Sequence, residues 1–575
     1  MPATAPRIRT RPVPDAPGLA HLPPLLQRLY AARGVTDARQ LDYGLAQLPD
    51  YAVLRDIDNA CDLLATALTE QQFILVVGDF DADGATSAAL VCDALIAMGA
   101  VAVDCFVPNR MTHGYGLSPA VVEAIGEQGR TPGLLITVDN GITSHAGVEA
   151  AQAAGWRVLV TDHHLPGTTL PPAEAIINPN QPGCGAFGGN LAGVGVAFYL
   201  MAALRGRLRR QGQGALPHLG DYLDLVAVGT VADMVPLDHL NRLLVAQGLR
   251  RIRNGRTRPG IAALIEAAER DPARLVATDI GFGLAPRLNA AGRLDDMREG
   301  IACLRASDHA SAARFAARLS MLNNQRRDMQ QDMQAEAERA LARHRTPVSL
   351  PAGLTVHDDG WHEGIVGLLA GKLCEHYKRP VVAFAPSGNG DLLKGSARST
   401  DGIHMRDVLA AMAAENPELI ERFGGHARAA GLQLTSTRLD EFSNTFARIV
   451  AEHTTADGTD DTIITDGTLA ARQLDLQTAH CLRDAGPWGT DFEAPLFHGD
   501  FEVLSHRLLK GRHLKMAVQP TNGRQAIDAI AFNRTDAVAA GDHIRLVYRL
   551  EVNRYRGLDS ANLIVEDILT AEQAG

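Results

Sequence analysis

The sequence predicts an α/β protein of several domains. They are a parallel-sheet domain, a long connecting helix, a smaller α/β unit and a terminal β-barrel. Three observations carry this reading. From about residue 50 to 240, short apolar runs alternate with helical segments, the pattern of a parallel sheet with crossover helices. Residues 308–344 are rich in Ala, Arg and Gln, with Phe315, Leu319, Leu322, Met329 and Met333 at helical spacing. In "HIRLVYRLEV" (543–552), Ile544, Leu546, Tyr548, Leu550 and Val552 share one face, while Arg545, Arg549 and Glu551 share the other. That is a half-wet strand of the kind that closes small barrels.

At 575 residues the chain is too long for one core, and two to four domains are expected. Residues 1–45 are Pro- and Arg-rich and are expected to form an arm with one or two short helices. The first domain is placed at 46–305. Its strands are expected at the apolar runs 73–77, 101–107, 134–138 and 157–160, with helices at Ser87–Met98 and Ala146–Ala154 between them. A connecting helix follows over 306–345, then a second α/β unit over 346–455, a linker at "TTADGTDDT" (454–462) and the barrel over 463–575. The start, "MPATAPRIRTRPVPDAPG", has no apolar core of a signal peptide, so none is expected. Leu191–Leu204 is too short and glycine-rich to span a bilayer. Seven scattered cysteines without a CxxC pair point to reduced thiols in a cytoplasm rather than structural zinc. The net charge of −11 speaks against a nucleic-acid coat, but Arg507–Arg556 holds ten Lys/Arg against four Asp/Glu.

The chemistry lies at strand ends. "VVGDFDADG" crowds Asp79, Asp81 and Asp83 behind a fully apolar strand. "LLITVDNGIT" ends a strand in Asp139, and "RVLVTDHHLP" ends one in Asp162-His163-His164. "VGTVADMVPL" sets Asp233 in an apolar context and is read as a fourth such end. In an open parallel sheet the carboxyl ends of the strands line one crevice. Carboxylates that close repel one another unless a cation neutralises them. An oxygen-rich set with a few imidazoles suits Mn²⁺ or Mg²⁺, and two ions ~3.5–4 Å apart activate water for phosphoryl displacement. A lone strand-end Asp also reads as a helix cap or turn residue, and Asp162 fits that role by holding the His-His turn.

GDFDADG, VDNG and the DHH triplet 162–164 resemble the DHH phosphoesterase superfamily. "PNRMTHGYGLS", "GVGVAFYL", "VADMVPL" and "APRLNAAGRL" extend the likeness. "GWHEGIVGLLAGKL", "GSARS" and "GGHARAAG" are similar to the DHHA1 domain of the same superfamily. With "GPWGTDFEAPLF" and the barrel segments, the likeness covers nearly the whole chain and narrows to the RecJ family of bacterial single-stranded-DNA exonucleases. Phe80 departs from the Tyr often found there, but an aromatic ring is kept.

The resemblance implies a DHH domain, a DHHA1 domain and an OB-like barrel. It implies metal ligands at Asp81, Asp83, Asp139, His163 and Asp233, with Asp79 a further ligand or a support behind them. Asp139 is also catalytic, and His164 faces the scissile phosphate as donor or general acid, or is a structural histidine. Arg398, Gly425 and His426 are expected at a substrate phosphate, and Arg110, Asn289 and Arg293 near the nucleotide. Taken singly, each has a plainer reading as a turn, an ion pair or a loop residue. Lys510, Arg512, Lys515, Arg549, Tyr555 and Arg556 are expected to carry a single strand across the barrel. Trp361 and Trp488 read as core residues before stacking platforms. The implied activity is a metal-dependent 5′ to 3′ exonuclease releasing 5′-mononucleotides in DNA repair and recombination, with two Mn²⁺ or Mg²⁺ ions. Single-strand-binding protein and a helicase are expected partners of a cytoplasmic monomer that does not engage a membrane. The alternatives are a phosphodiesterase for short oligonucleotides or cyclic dinucleotides, and a nuclease-dead scaffold that binds single strands.

Overall fold

Strand β1 (Arg7–Thr10) opens the described chain, and its partner lies more than 450 residues away. The computed structural model describes residues 7–184, 187–343, 350–388, 391–453, 462–555 and 557–570. They fall into two units. The first takes in the chain to Asn289, Met297–Ala317 and the chain from Asp461; the second takes in Ala290–Asp296 and Arg318–Asp460.

The centre of the first unit is a sheet of β2 (Ile74–Gly78), β3 (Val103–Phe106), β4 (Leu134–Val138), β5 (Arg157–Thr161) and β6 (Ala175–Ile177). All its pairs are parallel, in the order β3-β2-β4-β5-β6. Parallel strands covered on both faces read as unbroken apolar runs, and every residue of β2 and β4 is buried. On one face, Leu75, Val77, Phe106, Leu135 and Val158 pack against Val121, Ile125, Val148 and Trp156. The other face meets the helices Ala82–Ala97 and Gly193–Arg210. The first of these begins five residues before the expected Ser87, because Asp81 caps it by accepting from the Asp83 and Gly84 amides, both 3.0 Å. The chain leaves β2 toward β3 on one side and β4 on the other, so the topological switch point lies between β2 and β4.

Helix His309–Arg343 leads into the second unit. There β7 (Leu354–His357), β8 (Val381–Ser387), β9 (Leu392–Arg398), β10 (Arg422–Gly425) and β11 (Ala429–Thr435) form a mixed sheet, β10-β11-β9-β8-β7. Phe384, Phe442 and Phe446 fill one face. Leu369, Leu373 and Trp361 fill the other, and the Trp361 indole donates to Glu336 at 2.9 Å.

Back in the first unit, β12 (Thr462–Thr465) runs parallel to β1, residue for residue. The rest of the expected linker lies outside the described residues. The amino-terminal segment, expected as an arm with one or two short helices, is therefore also bound into a sheet. Its helix Pro24–Ala31 sends Leu29 into the barrel core. The barrel itself closes in the order β13 (Phe497–Leu509), β14 (His513–Pro520), β15 (Ile527–Ala531), β17 (Leu558–Thr570), β16 (His543–Tyr555). Closure leaves no open sheet edge. Of the face expected in β16, Ile544, Leu546, Tyr548 and Leu550 are buried and Val552 is half-buried; the alternation breaks at Val547, which is buried too, where the register shifts. The half-buried Trp488 ring packs against Tyr30 and Phe492, centroids 6.0 and 5.1 Å away, and its indole donates to the Leu482 carbonyl at 2.8 Å. Among the described residues no helix is long and apolar enough to cross a membrane.

Candidate active site

Register delivers the acids to one edge. Gly78 pairs with Val138 and Val138 with Thr161. The next residue on each strand, Asp79, Asp139 and Asp162, therefore leaves the sheet at the same level. Asp139 adopts a left-handed backbone, φ 62°, a conformation that a non-glycine residue holds only when its surroundings enforce it. Asp83 sits in the first turn of helix Ala82–Ala97 and accepts from the Gly193 and Val194 amides at 2.6 and 2.9 Å. Position 193 must be glycine: a Cβ there would stand 2.7 Å from the Asp139 carboxylate. Asp233 corrects the sequence reading. It closes the helix Leu223–Ala232 rather than a strand, yet its Oδ2 lies 3.5 Å from His163 Nε2.

Burial first, and then repulsion between neighbours, pushes these carboxyls upward. Asp83 is raised to about 7 and Asp233 to about 9. Asp79 and Asp139 are driven well above the usual carboxylate range. The two histidines part in the opposite sense. Burial and the neighbouring charge of His164 hold His163 down to about 4. Burial pulls His164 down as well, but the hydrogen bond and charge of Asp162 outweigh it and lift the ring to about 9. Asp162 Oδ1 lies 2.7 Å from His164 Nδ1 and accepts from the His163 and His164 amides, while Oδ2 accepts from Ile142. His163 is thus a neutral imidazole with a lone pair to offer, and His164 a cation.

A divalent cation fits this set. Asp139 Oδ1 and His163 Nε2 are buried and face each other at 3.1 Å without hydrogen-bond geometry, each lacking a partner. Ligand atoms of Asp83, His163 and Asp233 lie within 4.8 Å of one another, as do those of Asp79, Asp81 and Asp139, and those of Asp139, His163 and His164. Converging acceptors that raise one another's pKa are the groups a cation would satisfy.

Comparison with known proteins places the architecture. The chain matches the DHH family N-terminal domain over residues 73–230, the DHHA1 domain over 351–452 and the RecJ OB domain over 465–567. It is 49% identical over 571 residues to the single-stranded-DNA-specific exonuclease RecJ of Dickeya dadantii, covering 98% of this chain and 99% of the relative. Identity to the Escherichia coli protein of the same name is 47% over 572 residues, with the same coverage. This chain belongs to the RecJ family. The crystal structure of RecJ from Thermus thermophilus in complex with Mn²⁺ superposes with a TM-score of 0.80 at 30% identity, over 98% of this chain and 79% of that one.

Other residues expected from the RecJ family motifs have varied settings. Arg110 lies over the Phe80 ring, 5.0 Å from its centroid, which ties it to the acidic loop. Asn289 turns its side-chain oxygen to the Ala82 amide at 2.8 Å, so it braces that loop. Tyr115 escaped the sequence reading. Its hydroxyl lies 3.3 Å from His164 Nδ1 and its ring edge-on to both Phe80 and His164. The signal was present as a tyrosine between two glycines in "HGYGLS".

In the second unit, register joins the predicted phosphate residues. Arg398 pairs with Ala429, and the His426 amide donates to Ala429 at 2.8 Å. Gly425, at φ 144°, makes the turn; a Cβ would meet the Ala429 carbonyl at 2.5 Å. Arg398 also neighbours Gly367, in the first turn of helix Val366–Tyr377, whose start has no side-chain cap. Arg293 is elsewhere engaged, donating to the Gly364 carbonyl at 3.2 Å.

The barrel set is not one surface. Lys510 and Arg512 lie on the turn between β13 and β14, and Tyr555 ends β16. Because β13 and β16 run antiparallel with Phe497 opposite Tyr548, those two turns fall at opposite ends of the barrel. Lys515 is paired with Asp528 at 2.7 Å and Arg549 with Glu566 at 3.2 Å. Arg545 is paired with Asp500 at 2.7 Å. The local cationic excess is therefore spent partly within the barrel. Arg556 lies outside the described residues.

Proposed function

We propose that this chain is a metal-dependent exonuclease that degrades single-stranded DNA from its 5′ end and releases 5′-mononucleotides, in DNA repair and recombination. The observation that carries the proposal is the convergence of Asp79, Asp81, Asp83, Asp139, His163 and Asp233 at one sheet edge, in a chain of this family. Asp81, Asp83, Asp139, His163 and Asp233 would hold the ions, with Asp79 beside them. Mn²⁺ or Mg²⁺ supplies Lewis-acid activation of water and neutralises charge on phosphoryl oxygens. His164, held cationic by Asp162, donates to a phosphate oxygen and is placed to protonate the leaving group. Tyr115 limits the swing of that ring. On the second unit, Arg398, His426 and the start of helix Val366–Tyr377 take a substrate phosphate, since a guanidinium fork and free helix amides both suit an anion. On the barrel, Lys510 and Arg512 contribute charge toward the strand.

A monomeric, cytoplasmic enzyme working beside a helicase and single-strand-binding protein belongs to the same proposal. It rests on family membership and on seven free thiols. The test is one labelled strand, tagged at either end, with Mn²⁺, Mg²⁺ or chelator. A 5′ label should emerge first as mononucleotide, and chelator should stop release. Release from the 3′ end first, or release that survives chelation, would overturn the proposal.

A further inference from the structure

The flank of helix Ala82–Ala97 carries a group that the hydrolytic chemistry does not use. Cys92 is fully buried there, and Cys105 stands partly exposed on β3. Register sets Cys105 beside Val76. Leu75, Val77 and Phe106 point to the opposite face of the sheet, and neighbours along a strand alternate. Val76 and Cys105 therefore point toward the helix, which packs on both β2 and β3. The helix that buries Cys92 thus packs on the face to which Cys105 points, and the two thiols perturb each other. The charge of Arg305 reaches both thiols. It is fixed by Asp93, Nε to Oδ1 2.7 Å, and Asp93 also accepts from Arg258 at 3.1 Å. Cys92, helped by Arg305, holds the Cys105 thiol below its ordinary value despite burial. A partly exposed thiol biased toward thiolate beside a second sulfur has the make-up of a peroxide-reactive pair.

We propose that Cys105 and Cys92 form a reversible disulfide under hydroperoxide stress, tying the helix that bears Asp83 to edge strand β3 and lowering hydrolysis. The Cys105 thiolate attacks one peroxide oxygen and the O–O bond breaks, leaving a sulfenic acid and hydroxide, which takes up a proton as water. Cys92 then loses its proton and its sulfur displaces hydroxide from the sulfenic sulfur, giving the disulfide and a second water. Two electrons pass from the sulfurs to the peroxide, and a dithiol reverses the reaction by exchange. A sulfur–sulfur bond of about 2.05 Å fixes its dihedral and its Cβ separation, so it constrains how the helix sits on the strand. Asp83 rides on that helix, and a shift of about 1 Å at a catalytic group costs up to about a hundredfold in rate.

The effect on hydrolysis rests on the exonuclease reading, whereas formation of the bond does not. Full-length protein with Mn²⁺ is treated with hydrogen peroxide, quenched with catalase and mapped as peptides without reduction. The expected result is a cross-linked peptide pair containing Cys92 and Cys105 and a mass lower by two hydrogens. Single-strand hydrolysis should fall about ten- to a hundredfold, with recovery in dithiothreitol. Cys105→Ser and Cys92→Ala, each tested separately, should show no cross-link and keep their rate through the same treatment. Gain of two oxygens on Cys105 in place of the cross-link would overturn the proposal, as would a quantitative cross-link with hydrolysis unchanged. Absence of hydrolysis before treatment would count against the exonuclease reading alone, because the peptide map needs no substrate.

Discussion

Replacing Asp162 with asparagine tests the division of labour between the two histidines. The carboxylate holds His164 Nδ1 at 2.7 Å and lifts that ring to about 9 against the pull of burial. An asparagine in its place keeps the shape and loses the charge; Asp233 and Asp79 still act against burial, and the ring returns to about its ordinary value of 6.5. At pH 8 the protonated fraction then falls from about 0.9 to about 0.03, roughly thirtyfold, whereas at pH 6 it falls by less than about twofold. The His164 side chain is 38% exposed, and screening trims the effect to about ten- to thirtyfold. The assay is the ratio of wild-type to Asp162→Asn turnover on a short single strand in saturating Mn²⁺, from pH 6 to 9. Wild-type activity should decline as pH rises through about 9; in the variant the decline should begin near the ordinary histidine value. A loss equal at pH 6 and pH 8 would make Asp162 a mere turn residue and refute the cationic role of His164.

Saturating Mn²⁺ should raise the melting temperature, because the ions relieve repulsion among buried acids. At a hundred times Kd the gain is about 2.7 kcal/mol, and a calorimetric scan that shows no shift would count against the cation set. Gly193→Ala should cost about 1–3 kcal/mol in chemical denaturation and most of the turnover, since the new methyl collides with Asp139. Arg398→Ala and His426→Ala should each slow cleavage about ten- to a hundredfold, each removing a phosphate interaction worth roughly 1.5–3 kcal/mol. Metal content measured by plasma emission should stay unchanged. The double variant Lys510→Glu, Arg512→Glu should flatten the salt dependence of single-strand binding by about 0.7 in log–log slope for each phosphate no longer neutralised, read by fluorescence anisotropy.

The parallel sheet was legible because its strands are buried on both faces, which writes continuous apolar runs such as Ile74–Val77 into the sequence. The acid row was legible for a related reason: when strands are in register, residues just past their ends share a level. Asp233 was found by its apolar surroundings but assigned to a strand, since a helix end and a strand end look alike when the segment is apolar throughout. Asp162 and Tyr115 carry little local signal. One reads locally as a turn residue, and the other acts through a contact with His164, 49 positions away. The barrel cations lie near one another in sequence, but not in space. Antiparallel pairing sends the β13–β14 and β16–β17 turns to opposite ends, which no local pattern reports. The pairing of β1 with β12 is equally silent, because its four-residue strands carry no sign of a partner so distant.

That pairing bears on how the protein is made. A strand that emerges first must wait for residues 462–465 before it finds its partner. At about 5–20 residues per second, synthesis leaves it waiting for roughly half a minute to a minute and a half. By then every residue of the acid cluster, the last being Asp233, has long left the ribosome, so the catalytic sheet can assemble on the nascent chain. Leu29 and the strand ahead of it cannot settle until the barrel arrives. A ribosome stalled before residue 462 would therefore carry an acid cluster whose leading segment has nothing to close upon, and that segment would be the first place a protease could cut.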